Sequence, residues 1–304
     1  MQWRSDVRSL ASFVVYVNDL SLFARMNSRI PLLLRGSCRN WPAFRLWRDP
    51  DYILSTCGHR TVPVELGSSY LDGNWQQNLM TMENFFKIDA AHDDDKSSYM
   101  GNTTEQRRQV LYLAQHPLFD QIPAMRKDIL TPDFCFLPAS RVNVNDSGVN
   151  TDVRSSKFVD EHSVYGKNQD GEHFVLVHAW LGPAGTVSPI HFDVYDNVLS
   201  QVVGYKYVRL FDPGQTERLY PHENGPFTNA AKVDINHQCG HNISENVKRL
   251  DSKLQSFGYD KYPKYKDALY SDIILEPGDQ LFIPSKYWHY VQSVTPSFSV
   301  SHWW

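Results

Sequence analysis

The chain has 304 residues, 41% of them hydrophobic and 13% aromatic, with a formal net charge of -4 and a pI near 6.3. That length suits one large domain or two ordinary ones, with enough apolar side chains for a sizeable core. The acidic balance excludes a nucleic-acid binder that works by bulk charge, though not a local basic patch, and no apolar run reaches the length of a membrane span. The four cysteines, Cys38, Cys57, Cys135 and Cys239, are spread along the chain without a CxxC pair. This reads as a reduced intracellular protein with buried thiols.

Taken in order, residues 1–30 read as an N-terminal helix. Leu10, Phe13, Val14 and Val17 fit the i, i+3, i+4, i+7 spacing of an amphipathic face. Arg4 and Arg8 precede this run, but no small-residue cleavage site follows it. The helical and strand part of the catalytic domain is expected over 31–138. Pro31 to Gly36 is a short buried strand, Trp41-Pro42 a turn, and Asp49 to Cys57 a helix. Thr61 to Glu65 is a strand, and Thr81 to Ile88 a helix with Thr81 as its cap. His92 to Lys96 reads as a solvated charged loop. Gln109 to Ala114 is a strand with Val110, Tyr112 and Ala114 on one face, and Pro117 to Ile129 is a turn plus a short helix.

Residues 139–172 are rich in Asn, Asp, Ser and Gly and read as a long loop or mobile insertion, either a lid or a surface excursion. Strands then follow densely over 173–304: Phe174 to Gly182, the His191 strand, Asn197 to Val203, Lys206 to Phe211, Ser271 to Leu275, Gln280 to Ile283, His289 to Val294 and Phe298 to His302. Ile243 to Phe257 carries a helical pattern within an irregular stretch over 236–260. The fold expected is mostly β with flanking helices: a double-stranded β-helix, or jelly roll, within one globular domain.

Two stretches carry chemistry. Gly185-Thr-Val-Ser-Pro-Ile-His191-Phe-Asp193 sets an imidazole and a carboxylate two residues apart, on one face if both lie in a strand. Alone, the pair fits an exposed strand face as well as a metal site. Gly278 to His289 supplies a second histidine after a Pro-Gly turn, in order and in a strand context. Together, His191, Asp193 and His289 make the two-imidazole, one-carboxylate set suited to non-haem Fe(II). Zinc accepts the same donors. His237, Cys239 and His241 crowd into one short loop with no fourth ligand and read as solvated. An inward Lys206 would pair with a carboxylate of a bound co-substrate. Tyr112 and Ser188 offer hydroxyls to the same group.

The motifs VPVELGSSYLDGNW at 62–75, YLAQHPLFDQIP at 112–123, WLGPAGTVSPIHFD at 180–193, GYKYVRLF at 204–211 and FIPSKYWHYV at 282–291 go further. Through them the chain resembles the JmjC-domain 2-oxoglutarate oxygenases, with a cupin-like JmjC fold, from about Pro31 onward. The resemblance implies Fe(II) at His191, Asp193 and His289, with O2 and 2-oxoglutarate as co-substrates. Tyr112, Ser188, Asn197 and Lys206 would hold the 2-oxoglutarate. Glu65 and Trp180, with Gln115 and the tryptophans Trp303 and Trp304 as lesser members, would line a pocket for a substrate arginine. The expected partner is a protein or peptide carrying that arginine, such as a histone tail or a ribosomal or chromatin-associated protein, in the nucleus or cytoplasm. Nucleic acid is not expected as a direct substrate, nor a membrane as a partner. Demethylation of N-methyl-lysine is the rival reaction, and a metal-free cupin-like binding module the rival class. The chain departs from the family pattern at Val194-Tyr195-Asp196 and at His302, where an aromatic is usual.

Overall fold

The computed structural model describes residues 14–15, 22–67, 75–94, 110–136, 174–235 and 261–304. The loop expected over 139–172, the helix read over 243–257 and the His237, Cys239 and His241 cluster lie outside the described residues.

The N-terminal reading needs correction. Val14–Val15 is a short strand, β1, within the run whose periodicity predicts a helix. It pairs in parallel with β2 (Leu32–Leu34), Val14 opposite Leu33 and Val15 opposite Leu34. β-branched valines favour extended backbone once a neighbouring strand is there to receive them. The helix comes later, as α1 (Leu22–Asn27). Trp41-Pro42 opens a helix, α2 (Pro42–Leu46), because proline at the first helical turn gives up an N–H that would have no partner there. α3 (Pro50–Cys57) starts as expected, with the Asp49 carboxylate accepting the Asp51 N–H at 3.0 Å.

β3 (Thr61–Leu66) pairs with β4 (Gln76–Thr81), whose first four residues are exposed and whose sequence shows no apolar alternation. α4 (Met82–Asp94) has Thr81 at its start, with the hydroxyl accepting the Asn84 N–H at 3.2 Å. It runs past Ile88 into His92–Asp94, expected to be loop; Ala90 and Ala91 are strong helix formers and carry it on. Then follow β5 (Leu111–His116), α5 (Leu118–Gln121) and α6 (Pro123–Arg126).

The remaining elements are mostly strands: β6 (Leu176–Gly182), β7 (Val187–His191), β8 (Asn197–Val203), β9 (Lys206–Phe211), the single-turn α7 (Thr216–Leu219), β10 (Ser271–Leu275), β11 (Gln280–Ile283), β12 (Trp288–Ser293) and β13 (Ser297–Trp303). They form two sheets. One has nine strands in the order β1-β2-β11-β8-β13-β6-β5-β3-β4, and the other four in the order β10-β9-β12-β7. Apart from the β1–β2 pair, the ladders are antiparallel. This is the jelly roll that the spacing of strands and turns predicts. β8 and β9 are joined through Gly204 at φ +75°, where an added Cβ would run into the Pro296 carbonyl.

Apolar packing seals the two sheets. Against the outer face of the larger one, Trp47 stacks between Phe119 at 5.8 Å and Phe298 at 4.3 Å. Its indole N–H and the Tyr52 hydroxyl both donate to Asp128 Oδ2, at 2.9 and 2.7 Å. Trp288, Tyr290, Tyr207 and Tyr265 cover the outer face of the smaller sheet. Between the sheets, Leu199, Val208, Leu210, Leu281, Ile283 and Val291 fill one part of the barrel. The space they leave is the cavity described next.

Candidate active site

The two key histidines face each other across one ladder: His289 in β12 is the register partner of His191 at the end of β7. Their ring centroids lie 4.2 Å apart. The strand stops at His191, so Asp193 does not reach the site by strand alternation. It sits in the following loop, fixed by the Lys286 N–H donating to the Asp193 carbonyl at 2.8 Å. That loop is held again at Asp196, whose carboxylate takes two N–H groups of Arg29 at 2.6 and 2.7 Å and the Ser285 N–H at 2.7 Å. Asp193 Oδ1 then lies 3.8 Å from His191 Nε2, and Oδ2 lies 3.7 Å from His289 Nε2. One donor atom from each of the three residues falls within 4.8 Å of the others.

The backbone fixes both tautomers. His191 Nδ1 lies 2.7 Å from the Pro189 carbonyl and His289 Nδ1 lies 3.0 Å from the Tyr287 carbonyl. A carbonyl only accepts, so each Nδ1 carries a proton, and Nε2 is the nitrogen left to face the site. Burial, and then the neighbouring His191, push the His289 pKa down to about 4 against the pull of Asp193, so this ring is neutral near pH 7. Two imidazoles and a carboxylate fit a borderline transition metal and not calcium.

Two β-bulges aim the other side chains inward. In β7, Ser188 opposes Val291 and His191 opposes His289, so Pro189 and Ile190 stand against Tyr290 alone. The extra residue lets Ser188 and His191, an odd number of positions apart, share a face. In β5, Leu113 opposes Leu181 and His116 opposes Ala179, so Ala114 and Gln115 stand against Trp180. Gln115 adopts φ +46°, and both Tyr112 and Gln115 line the cavity. The plain alternation that groups Tyr112 with Ala114 fails at this bulge.

The cavity is narrow and open to solvent; the empty space in and at its mouth, open solvent included, amounts to about 400 Å3. Its walls include His191, Asp193, His289, Tyr112, Ser188, Asn197, Lys206, Gln115 and Trp180. Lys206 is 2% exposed, and burial lowers its pKa to about 7. Its ammonium lies 3.5 Å from the Tyr112 hydroxyl and 5.8 and 5.9 Å from the ring centres of Tyr112 and Trp180. Among the described residues, no carboxylate lies within ion-pair distance of it. Burial, together with the Glu65 charge, pushes the Tyr112 phenol up, and the Ser188 hydroxyl bonds to it. The Asn197 carbonyl oxygen is buried without a partner. The buried cation, with no carboxylate to pair with, can receive a carboxylate-bearing ligand, and the Asn197 side-chain oxygen can accept from a donor on such a ligand.

Some expected residues stand elsewhere. Glu65 lies outside the cavity wall, in β3, as the register partner of Tyr112; burial raises its pKa against the Trp75 indole. Trp304 packs 6.0 Å from the Phe282 ring, away from the cavity. Trp303 does line it, but its indole N–H donates to Asp193 Oδ2 at 2.9 Å. Ser301, two positions earlier on β13, takes the Trp180 indole N–H at 3.0 Å. It was not singled out by sequence, although the alternation of Ser297, Ser299 and Ser301 marks one face of that strand.

Comparison with known proteins fits this geometry. Residues 22–304 match the model of the cupin-like domain family. The chain is 36% identical over 274 residues to lysine-specific demethylase 8 of Xenopus tropicalis, covering 90% of this chain and 48% of that protein. It is 35% identical over 274 residues to Jumonji C domain-containing protein 5 of Drosophila melanogaster, covering 90% and 54%. It is 36% identical over 274 residues to lysine-specific demethylase JMJ30 of Arabidopsis thaliana, covering 90% and 49%. The chain thus spans about half the length of these relatives.

Proposed function

The chain belongs to the cupin-like family, in its JmjC group, and from that premise we propose that it is an Fe(II)- and 2-oxoglutarate-dependent hydroxylase of a protein arginine side chain. The observation that carries the reading is the buried, unpaired Lys206 in the same cavity as His191, Asp193 and His289. A metal-free binding module has no use for that costly cation beside three convergent ligands.

His191 and His289 would hold the metal through Nε2, and Asp193 through its carboxylate. Lys206, with the Tyr112 hydroxyl, would take the distal carboxylate of 2-oxoglutarate; Ser188 and Asn197 would bond the same molecule. Bound iron and 2-oxoglutarate together supply oxidative chemistry, in which O2 places one oxygen in the substrate C–H bond and one in succinate, with loss of CO2. The chain's own residues orient the co-substrate, keep positions open and exclude water. Trp180 and Tyr112, with ring centres 6.0 Å apart, wall the cavity with aromatic surface.

For the substrate, Glu65 stands outside the cavity wall but directly opposite the cavity-lining Tyr112 in the ladder, where a carboxylate would take a guanidinium that reaches past Tyr112 through paired hydrogen bonds. Glu65→Gln is expected to weaken turnover of an arginine peptide about 10- to 100-fold, the value of one charge-assisted contact, while 2-oxoglutarate affinity stays unchanged. A second reading rests on the names of two relatives, which are lysine-specific demethylases. The two separate by product. Arginine hydroxylation adds one oxygen mass to an unmethylated peptide; demethylation releases formaldehyde from a methyl-lysine peptide. Formaldehyde release without any oxygen gain on arginine would decide for the second. Histone tails and ribosomal proteins are the first peptides to screen.

A further inference from the structure

Trp303 lines the cavity beside the Asp193 loop. It is 5% exposed, and its strand is paired on both sides, with Trp303 opposite Leu176 and opposite Asn197. Its ring meets His178 edge-on at 5.1 Å and Trp180 at 6.1 Å. An indole held this way cannot rotate to find another acceptor, and a buried indole N–H needs one. The acceptor is Asp193 Oδ2, at 2.9 Å. The neighbouring residue fastens the same loop: Trp304 N–H donates to the Asp196 carbonyl at 3.1 Å, and Asp196 N–H to the Trp304 carbonyl at 3.2 Å.

We infer that Trp303 is a positioning residue for Asp193, holding its carboxylate as a one-oxygen ligand through Oδ1. The inference rests on the metal site proposed above. The consequence follows from counting positions. A carboxylate binds metals through one oxygen or two. Three one-atom protein ligands leave three of six positions, two for 2-oxoglutarate and one for O2. A two-oxygen Asp193 would leave two, and O2 would have none. Both oxygens face the histidines, Oδ1 at 3.8 Å from His191 Nε2 and Oδ2 at 3.7 Å from His289 Nε2, but the indole N–H engages a lone pair of Oδ2, leaves Oδ1 the freer oxygen and so biases the carboxylate toward the one-oxygen mode. Outer partners of metal ligands act in this way elsewhere, and their loss lowers metal affinity about 10- to 100-fold.

The test uses the whole chain with Co(II) as probe, then Fe(II) and 2-oxoglutarate without O2, with nitric oxide standing in for O2. Trp303→Phe keeps an aromatic ring and removes the N–H. It is expected to bind Co(II) about 10- to 100-fold more weakly, and to lose the nitric oxide complex expected of the wild-type iron protein. Trp303→His restores a ring N–H and is expected to regain at least about threefold in Co(II) affinity over Trp303→Phe, as a fraction of that loss. Unchanged Co(II) and nitric oxide binding in a folded Trp303→Phe overturns the inference, as does a folded Trp303→His no better than Trp303→Phe. If Trp303→Phe does not fold, Trp303→His decides against wild type, and a folded histidine variant with a loss greater than about 30-fold, outside the range those two figures allow, overturns it. A wild-type chain that takes no Co(II) overturns the metal reading itself, and the inference with it; wild-type binding with unaffected variants overturns the inference alone.

Discussion

Asp193→Ala is expected to abolish succinate formation, with turnover at least about 1,000-fold below wild type, the loss of several kcal/mol of metal-borne stabilisation. The three donors come from two strands and one loop, and among the described residues no other carboxylate joins the two histidines at ligand spacing. His191 and His289 have each committed Nδ1 to a backbone carbonyl, so neither offers a second nitrogen. Among the described residues no other cluster of histidine, cysteine or acidic side chains has ligand spacing. His191→Ala should give the same outcome. The fold should tolerate both, because the loop keeps the Lys286 N–H contact to the Asp193 carbonyl and the Arg29 and Ser285 contacts to Asp196. The check is succinate release and bound iron in the purified variants, with melting temperature as control. Wild-type turnover in either folded variant would remove the basis of the metal assignment.

The parts of this architecture that could be read from sequence share one property: their signal is local. β8, β9, β10 and β11 are short apolar or alternating runs ended by glycine or proline, and they stand where expected. Gly278 at φ +99° makes the turn before β11 that Pro277-Gly278 announces. His191, Asp193 and His289 were legible because two separated motifs specify them by residue type. What was not legible depends on partners distant in the chain. Val14 and Val15 extend because β2 is there to receive them. β4 is a polar stretch that becomes a strand by pairing with β3 along its length. The bulges in β5 and β7 add a residue against a partner strand, and no alternation pattern in one strand records its partner's count. Trp303 looked like ordinary aromatic filling, because its bond to Asp193 crosses 110 positions.

The bulges also explain why this cavity is polar. Each brings in a hydrogen-bonding side chain three positions after another, Gln115 after Tyr112 and His191 after Ser188, where strict alternation would point one of each pair outward. The jelly roll supplies a dry interior, and two register faults convert part of it into a site. Lys206 needs no fault: it stands at the start of β9, inward by ordinary alternation, with its charge unpaired.

Lys206→Met is therefore expected to act in opposite directions on stability and on binding. In the ligand-free protein, burial alone lowers the lysine pKa from 10.5 to about 7. Below pH 7 both folded and unfolded chains carry the proton, and the cost of burying the charge is fully present. Between pH 7 and 10.5 the unfolded chain binds more protons than the folded one, so this group makes stability rise with pH. Lys206→Met should melt higher than wild type at pH 7, with the gap closing toward pH 10. The same variant should bind 2-oxoglutarate about 100- to 5,000-fold more weakly, since a buried carboxylate left without its cation costs about 3–5 kcal/mol. Wild-type binding at pH 8 should take up a proton, because the incoming carboxylate restores the ammonium; calorimetry in buffers of different ionisation enthalpy measures this. Affinity should fall as pH rises above about 7 in wild type, and be low and flat in Lys206→Met. A variant that binds 2-oxoglutarate as wild type does would remove Lys206 from the co-substrate site. One that also melts lower would show the ammonium to be a structural contact, and the reading of the cavity as a carboxylate anchor would fall with it.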